Sequence, residues 1–183
     1  NPQSLLQAGR TEDMLELFKP CGVVALVGTC LPGGEEAAVH TKGKFHVVAW
    51  GRGENKHTGL TLLLNERFFS VKSVRHIWSH GSIELKGRVA AVRVKTPTVD
   101  LCILIGYGFQ IPKNEKEKSR NKTFFKWFAD VIDNLPHRCI PIWMLDANAH
   151  LGLQKMTEAR ALWVKTDSSG LGNHQLMKTN SNG

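Results

Sequence analysis

Two helix-like segments bracket a succession of short apolar runs, and that order limits the fold more than any other feature of the chain. The first segment opens on Thr11, Glu12 and Asp13, a hydroxyl cap followed by acids in the first turn. Met14, Leu17 and Phe18 give it one apolar face, and Pro20 ends it. Strands are then expected over 23–31 (VVALVGTCL), 45–51 (FHVVAWG), 59–65 (GLTLLLN) and 68–77. In RVAAVRVKT (88–96), Ala90, Val92 and Val94 point one way, Arg93 and Lys95 the other. TPTVD (96–100) makes a turn, and LCILI (101–105) is apolar at every position, as expected of a strand covered on both faces. A second helix is predicted over 115–135, with Phe124, Phe128, Val131 and Leu135 on one face. CIPIWML (139–145) reads as a further, buried strand. Beyond it the pattern weakens: 157–164 is a candidate short helix and 167–183 is loop-like.

Strands in series between helices predict two packed sheets flanked by helices, an α+β arrangement, rather than a doubly wound parallel sheet. No repeat or low-complexity linker divides the 183 residues, so one domain over 1–183 is expected. No apolar run approaches the ~20 residues that a membrane-spanning helix needs. The opening NPQSLLQAGR lacks the basic start and apolar stretch of a signal peptide. Cys21, Cys30, Cys102 and Cys139 form no C-x-x-C pair, which argues against a zinc or redox motif and for reduced thiols in an intracellular protein. The formal net charge of +8 favours a polyanionic partner through counterion release.

The candidate chemistry lies at strand ends. IWMLDANAHLG (142–152) carries Asp146 and Asn148 to the end of a strand, either as turn formers or as an acid–amide pair on a rigid mount. IGYGF (105–109) ends another strand on Tyr107, which reads as a core aromatic or as a contact residue. Gly106 and Gly108 beside it either admit close approach of a ligand or form a bulge or exit turn. His150 stands alone in a loop, and LPGGEEAA (31–38) reads as a surface loop with two acids. KNEKEKSRNK (113–122) is mixed in sign and reads as a solvated helix face or as a surface along a phosphate backbone.

Taken in order, these stretches resemble the endonuclease/exonuclease/phosphatase family, the fold of apurinic and pancreatic-DNase-like nucleases. The nearer likeness is to the endonuclease domain of non-LTR retrotransposons. IWMLDANAHLG resembles the family's strand ending in G-D-x-N-A, and RVAAVRVKTPTVDLCILIGYGF its paired strands ending in N-x-Y-A-P. TGLTLLLNERF resembles the GG-x-A-x-L hairpin, GVVALVGTCL the strand reading A-L-Q-E-T, NPQSLLQAGR the tail of the first strand, and NSNG a downstream N-x-N-G loop.

The resemblance implies a four-layer α/β/β/α sandwich of two mostly antiparallel sheets. It also implies Mg²⁺-dependent phosphodiester cleavage, in which the metal neutralises charge developing on the phosphate while a base activates water. Asp146 would orient or deprotonate that water and lie near the metal. Asn148 would hydrogen-bond the phosphate or position Asp146, Tyr107 would contact the phosphate, and Asn1 would be an amide near the metal. The pattern is broken at several points. Gly28 stands where a metal-binding Glu is expected, Leu145 replaces the Gly of G-D-x-N, and Ile105 replaces the Asn before the strand-end Tyr. The late Asp-His pair has no counterpart, and the match starts inside the first strand and stops before the last ones. The expectation is therefore an incomplete, catalytically degenerate endonuclease-like domain acting on DNA, with the nucleus as candidate compartment. The alternative is a basic nucleic-acid-binding module that does not cleave.

Overall fold

Apolar residues alternate along strands such as 89–95, run unbroken through 101–105 and recur at helical spacing along the helices, and each set faces a definite neighbour. A computed structural model describes residues 10–32, 37, 39–110 and 114–148. The elements are α1 (Arg10–Leu17), β1 (Val23–Val27), β2 (Val39–Lys42), β3 (Phe45–Trp50), β4 (Leu60–Asn65), β5 (Val74–Ser79), β6 (Val89–Lys95), β7 (Asp100–Tyr107), α2 (Glu115–Asp133) and β8 (Ile140–Asp146). One sheet has the order β1-β4-β3-β2, the other β5-β6-β7-β8. Every pairing is antiparallel except β7 with β8, where α2 supplies the crossover that a parallel pair requires.

Between the sheets, Val48, Trp50, Leu60, Leu62 and Leu64 meet Ala90, Val92, Val94, Ile103 and Ile105. On the outer side of the first sheet, Val24, Leu26, Phe45, Val47 and Leu63 pack with Met14, Leu15 and Phe18 around α1. On the outer side of the second, Val89, Ala91, Cys102 and Leu104 meet Phe124, Phe128 and Val131 of α2. The result is the expected α/β/β/α order of layers. Phe45, Phe124 and Phe128 are fully enclosed, each such burial stabilising by roughly 1.5–3 kcal/mol. Asn114 starts α2 by accepting the Glu117 N–H on its side chain at 3.0 Å. Phe124 and Phe128, one turn apart, then meet edge to face at 5.2 Å between centroids.

Several local expectations are corrected. Leu15, not Leu17, completes the apolar face of α1, and Leu17 is 71% exposed. The first strand stops at Val27 because Gly28 turns the chain with φ 66°. Strand β2 was not expected, since Val39 is its one apolar residue; pairing with β3 through the turn at Gly43, φ 59°, makes it a strand. The segment 68–77 opens with a turn and a 3₁₀ stretch, Val71–Ser73, before β5 begins at Val74. Strand β8 is the largest correction. It lies at the edge of its sheet among the described residues, with Ile140 59% and Trp143 43% exposed. The predicted turn after Lys95 is present, Thr96 N–H donating to the Val99 carbonyl at 2.8 Å. All four cysteines are free, Cys102 and Cys139 being buried. No described helix is long and apolar enough to cross a membrane. The candidate helix at 157–164 and the loop-like 167–183 lie outside the described residues.

Candidate active site

The ends of five strands are stitched together by main-chain hydrogen bonds, and this places most of the predicted residues at one end of the sandwich. After β1, Thr29 N–H donates to the Gly59 carbonyl (3.2 Å), and Gly59 N–H donates to that of Gly87 (2.9 Å), just before β6. Tyr107 N–H donates to the Arg88 carbonyl (2.8 Å), and Gly108 N–H to that of Asp146 (2.6 Å). Gly28, Tyr107, Asp146 and Asn148 therefore share one end. Asn1, His150 and the two acids of the 31–38 loop lie outside the described residues.

Tyr107 is half-buried at the end of β7, directly opposite Asp146 in the parallel register. Asp146 is exposed, and its Oδ1 accepts the Asn148 N–H at 3.1 Å. This is the Asx turn expected of Asp and Asn as turn formers, and it holds Asn148 at φ 45°. The same turn aims the Asn148 amide, whose Nδ2 donates to the Gly108 carbonyl at 3.0 Å. The turn reading of Asp-x-Asn is met, and the same turn holds Asn148 to the strand that carries Tyr107.

The glycines flanking Tyr107 make room for the protein itself rather than for a ligand. A Cβ on Gly106 would stand 2.6 Å from Leu145 Cδ2 and 2.9 Å from the rings of Phe124 and Phe128. One on Gly108 would fall against the Ala147 carbonyl. That close approach lets the chain beyond β8 lie along the exit of β7.

One contributor was missed in the sequence. Arg88, 8% exposed, donates from Nη1 to the carbonyls of Tyr107 and Gly108, both at 3.2 Å. Its guanidinium lies 4.4 Å from the Phe109 ring centre and 5.5 Å from that of Tyr107. Burial lowers its pKa, with a further downward push from the charge of Arg120 and an opposing effect of Tyr107. The Gly108 carbonyl thus accepts from both Arg88 and Asn148. A lone arginine at the start of an alternating strand carries no local mark of such a role.

A magnesium ion takes near-octahedral oxygen ligation, commonly one or two carboxylates with waters and substrate oxygens. Gly28 supplies no side chain, and the adjacent Thr29 is fully buried, its Oγ1 without a hydrogen-bond partner. Among the described residues no three His, Cys, Asp or Glu side chains gather where they could hold a metal. The described residues do not by themselves make a magnesium site.

The sequence matches no protein-family model and no curated protein. Among solved structures, the chain is similar to a beta toxin from Staphylococcus aureus, with 9% identity and a TM-score of 0.47 over 83% of this chain and 53% of that one. It is also similar to the inositol polyphosphate 5-phosphatase domain of SPsynaptojanin, in complex with inositol (1,4)-bisphosphate and calcium ion. There the identity is 14% and the TM-score 0.30, over 69% of this chain and 40% of that one. The chain thus spans about half the length of the first and two fifths of the second.

Proposed function

We propose that this chain is an endonuclease-like domain of the retrotransposon type that engages the phosphodiester backbone of DNA and whose Mg²⁺-dependent cleavage is degenerate. The observation that supports this reading is the junction of Tyr107–Gly108 with Asp146–Asn148 through Gly108 N–H to Asp146 O and Asn148 Nδ2 to Gly108 O. One Asp146 oxygen is tied to the Asn148 N–H; the other is left to orient or deprotonate a water. Asn148 Oδ1 and the Tyr107 hydroxyl are the groups for the phosphate. Gly28, without a side-chain oxygen where the family's Glu is expected, is the reason for degeneracy. The net charge of +8 favours the polyanionic partner, and a DNA partner brings with it a nuclear location.

The same charge and the same Gly28 favour a second reading, a basic module that binds nucleic acid without cutting it. Nicking of supercoiled plasmid in Mg²⁺ by the chain and by Asp146→Ala separates the two. Weak nicking that is lost in the variant supports the endonuclease reading, with residual cleavage at Asp146. No nicking by either folded protein, with DNA affinity that falls steeply with salt, supports the binding module. Neither nicking nor salt-dependent binding refutes both readings.

A further inference from the structure

Burying a guanidinium is costly unless a carboxylate or a full set of acceptors replaces the water it loses. Arg88 sits at 8% exposure with two carbonyls, both taken by Nη1. Arg120, from the second turn of α2, brings its guanidinium to 4.4 Å from the same Phe109 ring that Arg88 faces at 4.4 Å. Its Nε–H is buried and has no hydrogen-bond partner among the described residues. Neither arginine forms an ion pair among the described residues. The nearby acids of α2 are engaged elsewhere: Glu115 pairs with Lys118, and Glu117 accepts from the Asn114 side chain. Two like charges therefore share one aromatic ring beside Tyr107, with one donor unpartnered among the described residues. Contact with the ring offsets part of the cost, but it leaves the repulsion and the idle N–H.

We propose that Arg88 and Arg120, gathered on Phe109, form an anion subsite beside Tyr107 that takes a backbone phosphate of a nucleic acid. The planar forks of two arginines match phosphate oxygens in pairs, which a lysine pair would not. The bound phosphate would neutralise the two charges. Arg120 is part-exposed and offers the entry, while Arg88 is held by the main chain of residues 107 and 108. This inference rests on the nucleic-acid reading above and gives it a second contact.

The test is equilibrium binding of a short DNA duplex to the full chain across a range of salt concentrations. Arg120→Gln is compared with Lys126→Gln, which removes an exposed charge from the same helix. Arg120→Gln is expected to lower affinity roughly five- to tenfold and to flatten the log–log salt slope by about 1, as loss of one phosphate contact does. Lys126→Gln should change affinity less than about twofold, since its charge acts only at a distance. Arg120→Lys keeps the charge and loses the fork, so it should keep the slope and still bind several-fold more weakly. If Arg120→Gln fails to fold, that lysine variant decides: affinity equal to the parent overturns the subsite. Equal effects of Arg120→Gln and Lys126→Gln also overturn it. A parent chain that binds DNA, with Arg120→Gln binding as well, refutes the subsite alone; a parent chain without salt-dependent binding refutes the functional reading beneath it.

Discussion

Replacing Gly108 by alanine tests whether the junction at the strand ends is as tight as its geometry. The new Cβ would stand 2.6 Å from the Ala147 carbonyl carbon and 3.0 Å from its Cα, main-chain atoms that no rotamer change can move aside. The two chain segments must separate. That strains three hydrogen bonds: Gly108 N–H to Asp146 O, Asn148 Nδ2 to Gly108 O and Arg88 Nη1 to Gly108 O. Overpacking of this kind costs typically ~1–3 kcal/mol, and each neutral hydrogen bond lost adds ~0.5–1.5 kcal/mol, more where a charge is involved. Partial relaxation will keep some of the bonds, so the expected loss is about 3 kcal/mol, a drop in melting temperature of roughly 6–12 °C for a chain of this size. The assay is urea unfolding followed by tryptophan fluorescence, with Gly81→Ala alongside. A Cβ at Gly81 meets nothing within 4 Å, and that variant should stay within about 0.5 kcal/mol of the parent. Equal midpoints for the two variants would refute the argument that Gly108 is required by the approach of residue 147.

Two further outcomes follow from charge and backbone geometry. Asp100 accepts from Arg93 Nε at 2.8 Å and Nη2 at 2.7 Å, and these bonds hold its carboxyl at about 2, below its usual 3.8. A depressed folded-state pKa contributes stability that is present above the unfolded value and lost as pH falls from about 4 through about 2. Unfolding midpoints of the parent should therefore fall more steeply over that window than those of Asp100→Asn, and parallel curves would refute the pairing. Gly28→Glu places a side chain at φ 66°, which should cost ~1–2 kcal/mol without metal. If Gly28 stands in a nuclease-like metal site, calorimetry should show the variant gaining Mg²⁺ affinity; no gain refutes the correspondence.

Local pattern carried a good deal of this fold. The spacing of Phe124, Phe128, Val131 and Leu135 marked the buried face of α2, and all four belong to the cluster under that helix. Alternation in 88–96 and the continuous apolarity of 101–105 marked β6 and β7, which occupy the centre of their sheet. What failed were features that depend on neighbours. The run in β8 is among the most apolar of the chain, yet strand order puts it at an edge among the described residues. VHTK has almost no apolar signal, yet β3 makes a strand of it. At the candidate site, the Asp-x-Asn end of β8 and the glycine-flanked Tyr107 were visible as strand-end features. Their hydrogen-bonded contact, 40 residues apart in the Asn148–Gly108 bond, was not.

The sequence by itself determined most of the segments that form elements and the buried face of α2, because periodicity of 2 or 3.6 residues is a property of the local chain. Tertiary structure decided that Gly106 and Gly108 receive the protein's own side chains and backbone, that Arg88 lies buried beneath the exit of β7, and that Asp146 sits opposite Tyr107. Those are outcomes of sheet order and parallel register. They follow from which surfaces meet, and a one-dimensional pattern encodes the face an element must bury without encoding the element that buries it.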